Sequence, residues 1–479
     1  MHVPLVVLGG GPGGYAAAFM AADLGIETAI VEVDPRLGGT CMIRGCIPSK
    51  ALLHVAKVIS EAREMADWGV DFPAPQIAVE KLRARKNQVI DTLAGGLAEL
   101  AKRRKVRRIH ARGVFVDSQT LQLEGGDPST YDNERLTFDH CILATGSVPA
   151  MPKMFDVGSD RVMDSTGALN LADLPETLLV IGGGYIGLEM GQVYCELGTK
   201  TSVVELTDGL LPGADRDLVK PLEKRLRERF AAVHLSTKVT GVKDVGGRVE
   251  VAMESADGKD QRTETYDRVL VAVGRRPKSF GFNLENTKVT INPKGFVEVD
   301  AQQRTSDPAI LAIGDVAGEP MLAHKASHEG KVAAEVLAGE PAAFDKAAIP
   351  AVVFTDPEIA WAGLTAEQAK REGRKVDVAQ YPWQASGRAI AIGRTDGMTK
   401  WIVDPETERV LGCGIVGAGA GELIAEAVVA IEMGCTVRDL AESIHAHPTL
   451  NETLAFAAEV QLGTATEVYR PKRKQKQET

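Results

Sequence analysis

Cysteine is scarce in this chain, with six residues in 479. A secreted scaffold stapled by disulfides carries many more for its size, so such a framework is excluded. Long hydrophobic runs are missing too. No window reaches the roughly 18 uncharged apolar residues of a helical membrane span. Positive charge is in deficit: the net charge is −10, which argues against general attraction to nucleic acid or anionic membranes. The N-terminus, "MHVPLVVLGGGPGGYAAAFMAADLG", has no cationic n-region, and glycines interrupt it where a signal peptide's apolar stretch continues. It reads as a first strand entering a fold, and the chain as cytoplasmic. Two local basic runs, "AKRRKVRR" (101–108) and "PKRKQKQE" (471–478), read as a solvated face and a tail.

At roughly 150 residues per domain, the length suggests about three domains. An internal repeat organises the first half. "LVVLGGGPGGYAAAFMAADLGIETAIVEVD" (5–34) is echoed by "TLLVIGGGYIGLEMGQVYCELGTKTSVVEL" (177–206). Each copy runs apolar strand, glycine turn, small-residue helix, second apolar strand, acid. The glycines are Gly9, Gly11 and Gly14 in the first copy and Gly182, Gly184 and Gly187 in the second. Glu32 and Glu205 each stand 23 residues after their first glycine. In this pattern the first glycine permits a tight turn, the second admits a pyrophosphate close to the backbone, and the third lets helix pack on strand. The helix N-terminus favours the negative charge, and the acid accepts hydrogen bonds from ribose. Two copies imply two dinucleotides. Glu205 would repel a 2′-phosphate and no arginine follows before Arg216, so the second site is expected to take NAD rather than NADP.

Close behind the first acid lies "GGTCMIRGCIPSK" (38–50), with Cys41 and Cys46 five residues apart. In a regular helix that spacing separates Cα atoms by about 8.6 Å, beyond the roughly 4.4–6.8 Å of a disulfide. A bridge therefore needs a distorted turn, for which Gly38, Gly39 and Gly45 supply freedom. Pro48 suits the first turn of a following helix, with Leu52, Val55, Ile59 and Met65 on its buried face. A helix start and Arg44 are both expected to lower thiol pKa. Zinc is disfavoured, since no second cysteine pair exists. Two inert thiols remain an alternative for the pair. Cys141, Cys195, Cys413 and Cys435, each alone in an apolar stretch, read as buried thiols.

The combination of G-G-T-C-x₄-C-I-P-S-K with the N-terminal glycine fingerprint resembles the pyridine nucleotide–disulfide oxidoreductases. The likeness runs along essentially the whole chain. It continues through "CILATGS" (141–147), "VAVGRRP" (271–277), "AILAIGDVAGEPMLAHKA" (309–326) and "GRAIAIGRTDGMTKWIVD" with "VLGCGIVGAGAGELI". The resemblance implies an α/β fold with two Rossmann-like dinucleotide-binding domains, for FAD and NAD, and a C-terminal α+β dimerisation domain. The corresponding boundaries are 1–147 and 275–347 for FAD, 148–274 for NAD and 348–479 for the interface. It implies a redox disulfide between Cys41, the interchange thiol, and Cys46, the thiol nearer the flavin. Around the cofactors it places Thr40, Lys50, Thr145, Gly146, Gly274, Gly314, Asp315 and Ala323. Lys50 is expected near flavin N5 with Glu189 as its partner, and Tyr185 over the flavin until nicotinamide displaces it.

"SIHAHPTLNETLA" (443–455) reads by itself as a capping box, Thr449-x-x-Glu452. The H-x-H pair lacks the partners of a metal site, so no metal is expected. The resemblance makes His447 the base that deprotonates a dithiol substrate and Glu452 its orienting acid. It leaves His445 structural. It implies a homodimer in which this pair serves the other subunit's cysteines. The branch most resembled oxidises dihydrolipoamide with NAD⁺. No lipoyl domain precedes the first strand, so the substrate is expected on a lipoylated carrier domain of a 2-oxoacid dehydrogenase or glycine-cleavage complex. Mercuric and glutathione reductases are disfavoured by the cysteine-free tail, by Glu205 and by "IPSK". A transhydrogenase is disfavoured by the cysteine pair. A flavin-bearing nucleic-acid-binding scaffold using residues 101–108 is disfavoured by the intact Cys41, Cys46, His447 and Glu452. Met42-Ile43-Arg44 departs from the Leu-Asn-Val common in the family.

Overall fold

The apolar run after Met1 forms the strand His2–Leu8, the centre of a parallel sheet in the computed structural model, which describes residues 1–469. The basic tail at 471–478 lies outside the described residues. The chain divides into two units, Met1–Pro175 with Leu270–Asp345, and Glu176–Val269 with residues 346 onward.

In the first unit, His2–Leu8 pairs in parallel with Thr28–Glu32 on one side and Arg135–Leu143 on the other. Arg107–His110 and Ile310–Ala312 extend the parallel part, and an antiparallel pair, Arg112–Asp117 and Thr120–Glu124, completes seven strands. Val6, Val7, Ala29 and Ile30 are all buried, as strands covered on both faces must be. Helix Pro12–Asp23 lies against helix Ala323–Leu337 at backbone contact. A Cβ on Gly330 would stand 2.5 Å from the Gly13 carbonyl oxygen, so only glycine allows that approach. The basic run 101–108 is a solvated face: Arg103 pairs with Glu99, Arg104 with Asp23 and Arg107 with Asp132.

The second unit repeats the pattern. Thr177–Ile181 pairs in parallel with Lys200–Val204, which pairs with Ala232–His234. A three-stranded antiparallel ribbon follows, Thr237–Asp244, Val249–Ser255 and Gln261–Tyr266. The remainder is a five-stranded antiparallel sheet in the order Ala351–Val353, Glu358–Gly363, Val410–Gly417, Met398–Val403, Asp377–Pro382. Helices Ala420–Glu432 and Glu452–Leu462 share its core. Two buried tryptophans tie sheet to helix: Trp401 donates to the Leu454 carbonyl (2.9 Å), and Trp383 to Thr399 Oγ1 (3.0 Å), which in turn meets Thr453 Oγ1 (2.8 Å). These bonds fix the start of the helix whose first residue is Glu452.

Among the described residues no helix is long and apolar enough to cross a membrane. Trp401→Phe removes the indole donor from the Leu454 carbonyl, which lies within helix Glu452–Leu462. A loss of about 0.5–1.5 kcal/mol of stability is expected, read as a lower urea midpoint with unchanged slope.

Candidate active site

Both glycine loops are built as their spacing requires. Gly9 and Gly182 take φ of 114° and 108°. A Cβ on Gly9 would lie 2.3 Å from the Ala144 oxygen, and one on Gly14 would lie 1.9 Å from the Gly9 oxygen. The middle glycines are open instead: Gly184 has no neighbour within 4 Å of its Cβ position, and Gly11 only the Gly39 Cα at 3.9 Å. Each caps a helix, Pro12–Asp23 or Tyr185–Glu196, without a side-chain cap bond. Two cradles result, each a helix N-terminus beside an open middle glycine, which suits a pyrophosphate. Gly187 is buried on the second helix.

The acids do more than the sequence implied. Glu32 Oε2 accepts from the Gly10 N–H (2.6 Å) and its Oε1 from the Asp34 N–H (2.9 Å). Glu205 repeats this with Gly183 (2.7 Å) and Thr207 (2.8 Å from both N–H and hydroxyl). Each carboxylate thus locks its own loop, and its further lone pairs stay available to ribose hydroxyls. Arg216 is committed elsewhere. Its guanidinium donates to the carbonyls of Leu210, Leu211 and Ala214.

The cysteine segment forms two helices with a break between them. Gly38 and Gly39 turn the chain with φ of 129° and 57°. Helix Gly39–Arg44 carries Thr40 and Cys41, and helix Cys46–Glu64 carries Cys46 and Lys50. Gly45 between them adopts φ −146°, ψ −112°, and a Cβ there would come within 2.9 Å of the Thr40 oxygen. The break brings the two sulfurs into hydrogen-bond contact, Cys41 half-buried and Cys46 exposed.

Two expectations for this segment need correction. The Cys41 thiol is not acidified but pushed up, first by its hydrogen bond to Cys46, then by burial and by the charge of Cys46, with Lys50 opposing. The neutral form of Cys41 is thereby favoured. Arg44 does not serve the thiols, because its guanidinium pairs with Asp34 (2.8 Å). Met42 and Ile43 are buried in the first unit's core. The buried face of the second helix runs through Leu52, Leu53, Ala56 and Ser60, while Val55, Ile59 and Met65 are only half-buried.

A second cluster in the first unit joins residues far apart in sequence. Thr145 Oγ1 donates to the Lys278 carbonyl (2.8 Å), and Ser147–Pro149 pairs with Arg275–Pro277. Gly146 and Gly274 take φ of 71° and 116° at the ends of that ribbon. Ser147 Oγ donates to Asp315 (2.5 Å) and is held by Arg275 (2.8 Å). Gly314, with φ of 73°, donates to Glu329 (2.7 Å), which is paired with Lys325 (2.8 Å) on the helix that Ala323 opens. Ser147, Arg275 and Glu329 were not foreseen; only their polar character within apolar stretches marks them in the sequence.

In the second unit, Tyr185 is 41% exposed. Glu189 is buried at 3%, its Oε1 accepting from the Phe354 N–H (3.0 Å), so it is no solvent-facing helix acid. His447 Nδ1 lies 2.9 Å from Glu452 Oε1, with the imidazole 78% exposed and the carboxylate 11%. Glu452 Oε2 accepts from the Thr449 N–H (2.8 Å). The Thr449 hydroxyl instead donates to Ala446, and the helix begins at Glu452. The capping box is thus half present, its acid shared with the histidine. His445 is bonded through both nitrogens, to Glu426 and to the Ser443 carbonyl, each at 2.8 Å. Among the described residues no group of three or more His, Cys, Asp or Glu is placed to hold a metal.

Comparison with known proteins bears on the whole length. Residues 3–330 match the family described as pyridine nucleotide-disulphide oxidoreductase, and residues 349–458 match its dimerisation domain. Dihydrolipoyl dehydrogenase from Vibrio parahaemolyticus is 49% identical over 464 residues, covering 97% of this chain and 96% of the relative. The enzyme of that name from Haemophilus influenzae is 48% identical over 474 residues, covering 98% of each. Among solved structures, LpdA from Mycobacterium tuberculosis superposes with a TM-score of 0.87 at 27% identity, covering 95% of this chain and 99% of that one. The Cu(II) complex of the HOCl-induced flavoprotein disulfide reductase RclA from Escherichia coli gives 0.84 at 27%, covering 96% and 99%. With two glycine cradles, a cysteine pair on a broken helix and a dimerisation domain in one chain, the protein belongs to the pyridine nucleotide-disulphide oxidoreductases.

Proposed function

We propose that the chain is an FAD-dependent dihydrolipoyl dehydrogenase, oxidising protein-bound dihydrolipoamide through Cys41 and Cys46 and reducing NAD⁺. The observation that carries this reading is the cysteine pair brought into contact across the helix break, the arrangement that a disulfide exchanging with a dithiol requires. Relatives bearing this name at 48–49% identity over nearly the full length support it.

The cycle starts with the Cys41–Cys46 bridge oxidised. Glu452 holds Nδ1–H of His447, which leaves Nε2 as the acceptor facing solvent. His447 takes one thiol proton from the substrate, and the thiolate attacks Cys41 Sγ. The Cys41–Cys46 bond breaks and Cys46 leaves as a thiolate. The second substrate sulfur then displaces Cys41 and closes the lipoamide ring, and its proton passes to Cys41. An FAD held by the first glycine cradle would supply the two-electron acceptor for the dithiol and the hydride donor for NAD⁺.

On this reading Gly9, Gly11, Gly14 and Glu32 with Thr40, Thr145, Gly146, Gly274, Gly314, Asp315 and Ala323 hold FAD, and Gly182, Gly184, Gly187 and Glu205 hold NAD. Lys50, Glu189 and Tyr185 keep the places beside the flavin and nicotinamide that the family likeness gives them. The stretches 1–147 and 275–347 then make the FAD domain, 148–274 the NAD domain and 348–479 the interface. The working form is a homodimer, cytoplasmic, serving a lipoylated carrier domain of a 2-oxoacid dehydrogenase or glycine-cleavage complex.

Anaerobic titration of the yellow holoprotein with dihydrolipoamide should raise a long-wavelength band that NAD⁺ discharges; no spectral change would refute the reading. Cys41→Ser and Cys46→Ser should each abolish lipoamide turnover with FAD retained. His447→Gln should slow dihydrolipoamide oxidation by roughly 10²-fold or more. Steady-state kinetics should favour NAD⁺ over NADP⁺ by roughly 10²-fold in kcat/KM, since Glu205 meets a 2′-phosphate with like charge and Arg216 is occupied.

A further inference from the structure

His447 sits on a loop, Ser443 to Asn451, that joins helix Val437–Glu442 to helix Glu452–Leu462. A base must be held to a fraction of an ångström, yet this one is largely exposed and its neighbour Ile444 is fully so. The order comes from one carboxylate behind the loop. Glu426, on helix Ala420–Glu432, takes a ring hydrogen of His445 on Oε1 (2.8 Å). Its Oε2 faces the Asn451 amide at a longer 3.4 Å. Glu426 therefore reaches both ends of the segment that carries His447. The Thr449 hydroxyl, donating to Ala446 (2.8 Å), braces the middle.

The protonation state of His445 follows from its partners. A carbonyl oxygen has no proton to give, and neither has an ionised carboxylate. With Nδ1 on the Ser443 carbonyl and Nε2 on Glu426, both nitrogens must donate, so the ring is an imidazolium. Among the described residues two carboxylates act on it, Glu426 and, from the following helix, Glu452. The preceding helix sends neither of its acids to the ring: Asp439 caps Thr436, and Glu442 pairs with Arg438. Strand Val410–Gly417 contributes Cys413, whose thiol is pushed up by burial and then by the charge of Glu426. Lys400, which also acts on Cys413, is paired with Asp215 and Asp217.

We propose that His445 and Glu426 are positioning residues for dithiol oxidation, a charged clamp that fixes the loop of His447 only while His445 carries both protons. The proposal rests on the functional reading above. Its sign follows from the environment of His445. Burial pulls the imidazolium down, but the Glu426 hydrogen bond, the Ser443 carbonyl and the two carboxylate charges outweigh it, and the net shift is upward. A raised value means that the clamp is complete at and below the ordinary histidine range and opens as pH rises through the raised one. The clamp is thus a source of an alkaline limb in kcat/KM separate from the proton taken by His447.

The test measures two activities of the FAD-loaded full chain from about pH 6 to about pH 9. One is oxidation of dihydrolipoamide by NAD⁺. The other is reduction of ferricyanide by NADH, which needs both cofactors but not His447. Glu426→Gln should cut the first by roughly 10-fold or more and move its alkaline limb down by about one pH unit, leaving the second within roughly twofold. His445→Gln keeps a donor toward Glu426 without a titrating charge; it should retain part of the rate and lose that limb. Equal loss of both activities, or variants with the wild-type pH profile, would overturn the clamp. If Glu426→Gln does not accumulate, His445→Gln decides the matter by the same limb. Wild-type protein that reduces ferricyanide but never oxidises dihydrolipoamide would sink the functional reading and the clamp together, an outcome distinct from an unmoved limb in active protein.

Discussion

A helix running unbroken from Gly39 to Glu64 would hold Cys41 and Cys46 too far apart to touch. The chain stops that helix at Gly45 and starts another at once. The crowding of the Thr40 oxygen around Gly45 leaves no room for a side chain. The cysteine pair depends on this interruption, because it brings two helical thiols into contact. The same break lets Arg44 swing to Asp34, two residues beyond the acid that locks the glycine loop. Loop, acid, aspartate, arginine and cysteine pair are then joined by consecutive hydrogen bonds and short covalent steps. The redox turn is held by the same residues that shape the dinucleotide cradle.

The two cradles show why the repeat was easy to read and its second role was not. Glycine spacing is dictated by contacts within about thirty residues: Gly14 against the Gly9 oxygen, the helix start at Gly11 or Gly184, the acid on the next strand. Such local constraints leave a periodic trace in sequence. That Glu32 and Glu205 bond Gly10 and Gly183, the residues after the first glycine of each loop, leaves no further trace, since an acid at that position satisfies both duties. The cysteine pair was legible for the same local reason. The fate of Arg44 was not, because an arginine between two cysteines looks like a partner for thiolates until the turn directs it to Asp34.

Longer-range features were invisible for a different reason. Ser147, Arg275 and Asp315 come from three separate stretches, and Glu329 reaches Gly314 from a helix. Nothing in spacing brings them together. The capping box illustrates a milder failure. Thr449 and Glu452 have the right spacing, but the carboxylate is divided between a backbone N–H and His447, and the threonine hydroxyl turns to Ala446. One motif was read as a structural cap or a catalytic pair, and a single carboxylate bonds both the backbone N–H and the histidine.

The second unit depends on buried charge that a sequence reading has no means to place. Lys400, only 1% exposed, lies 2.6 Å from both Asp215 and Asp217. Asp215 also accepts from the N–H groups of Ala366 and Glu367. Gln192 and Asp356 exchange two hydrogen bonds, and Arg225 and Arg394 close on the Asp356 carboxylate. Burying ions costs several kcal/mol each before their attraction is counted, so hydrophobic packing would serve bare stability as well. What these groups add is direction: each fixes a helix of the second glycine module to the antiparallel sheet at one angle. That sheet bears the tryptophans that fix the helix of Glu452. A histidine gains no fixed position from a strong partner that drifts, and fully satisfied ionic contacts, unlike apolar ones, tolerate no sliding. The position of His447 is therefore set by a chain of contacts running from the second cradle through buried charge to the helix that orients it.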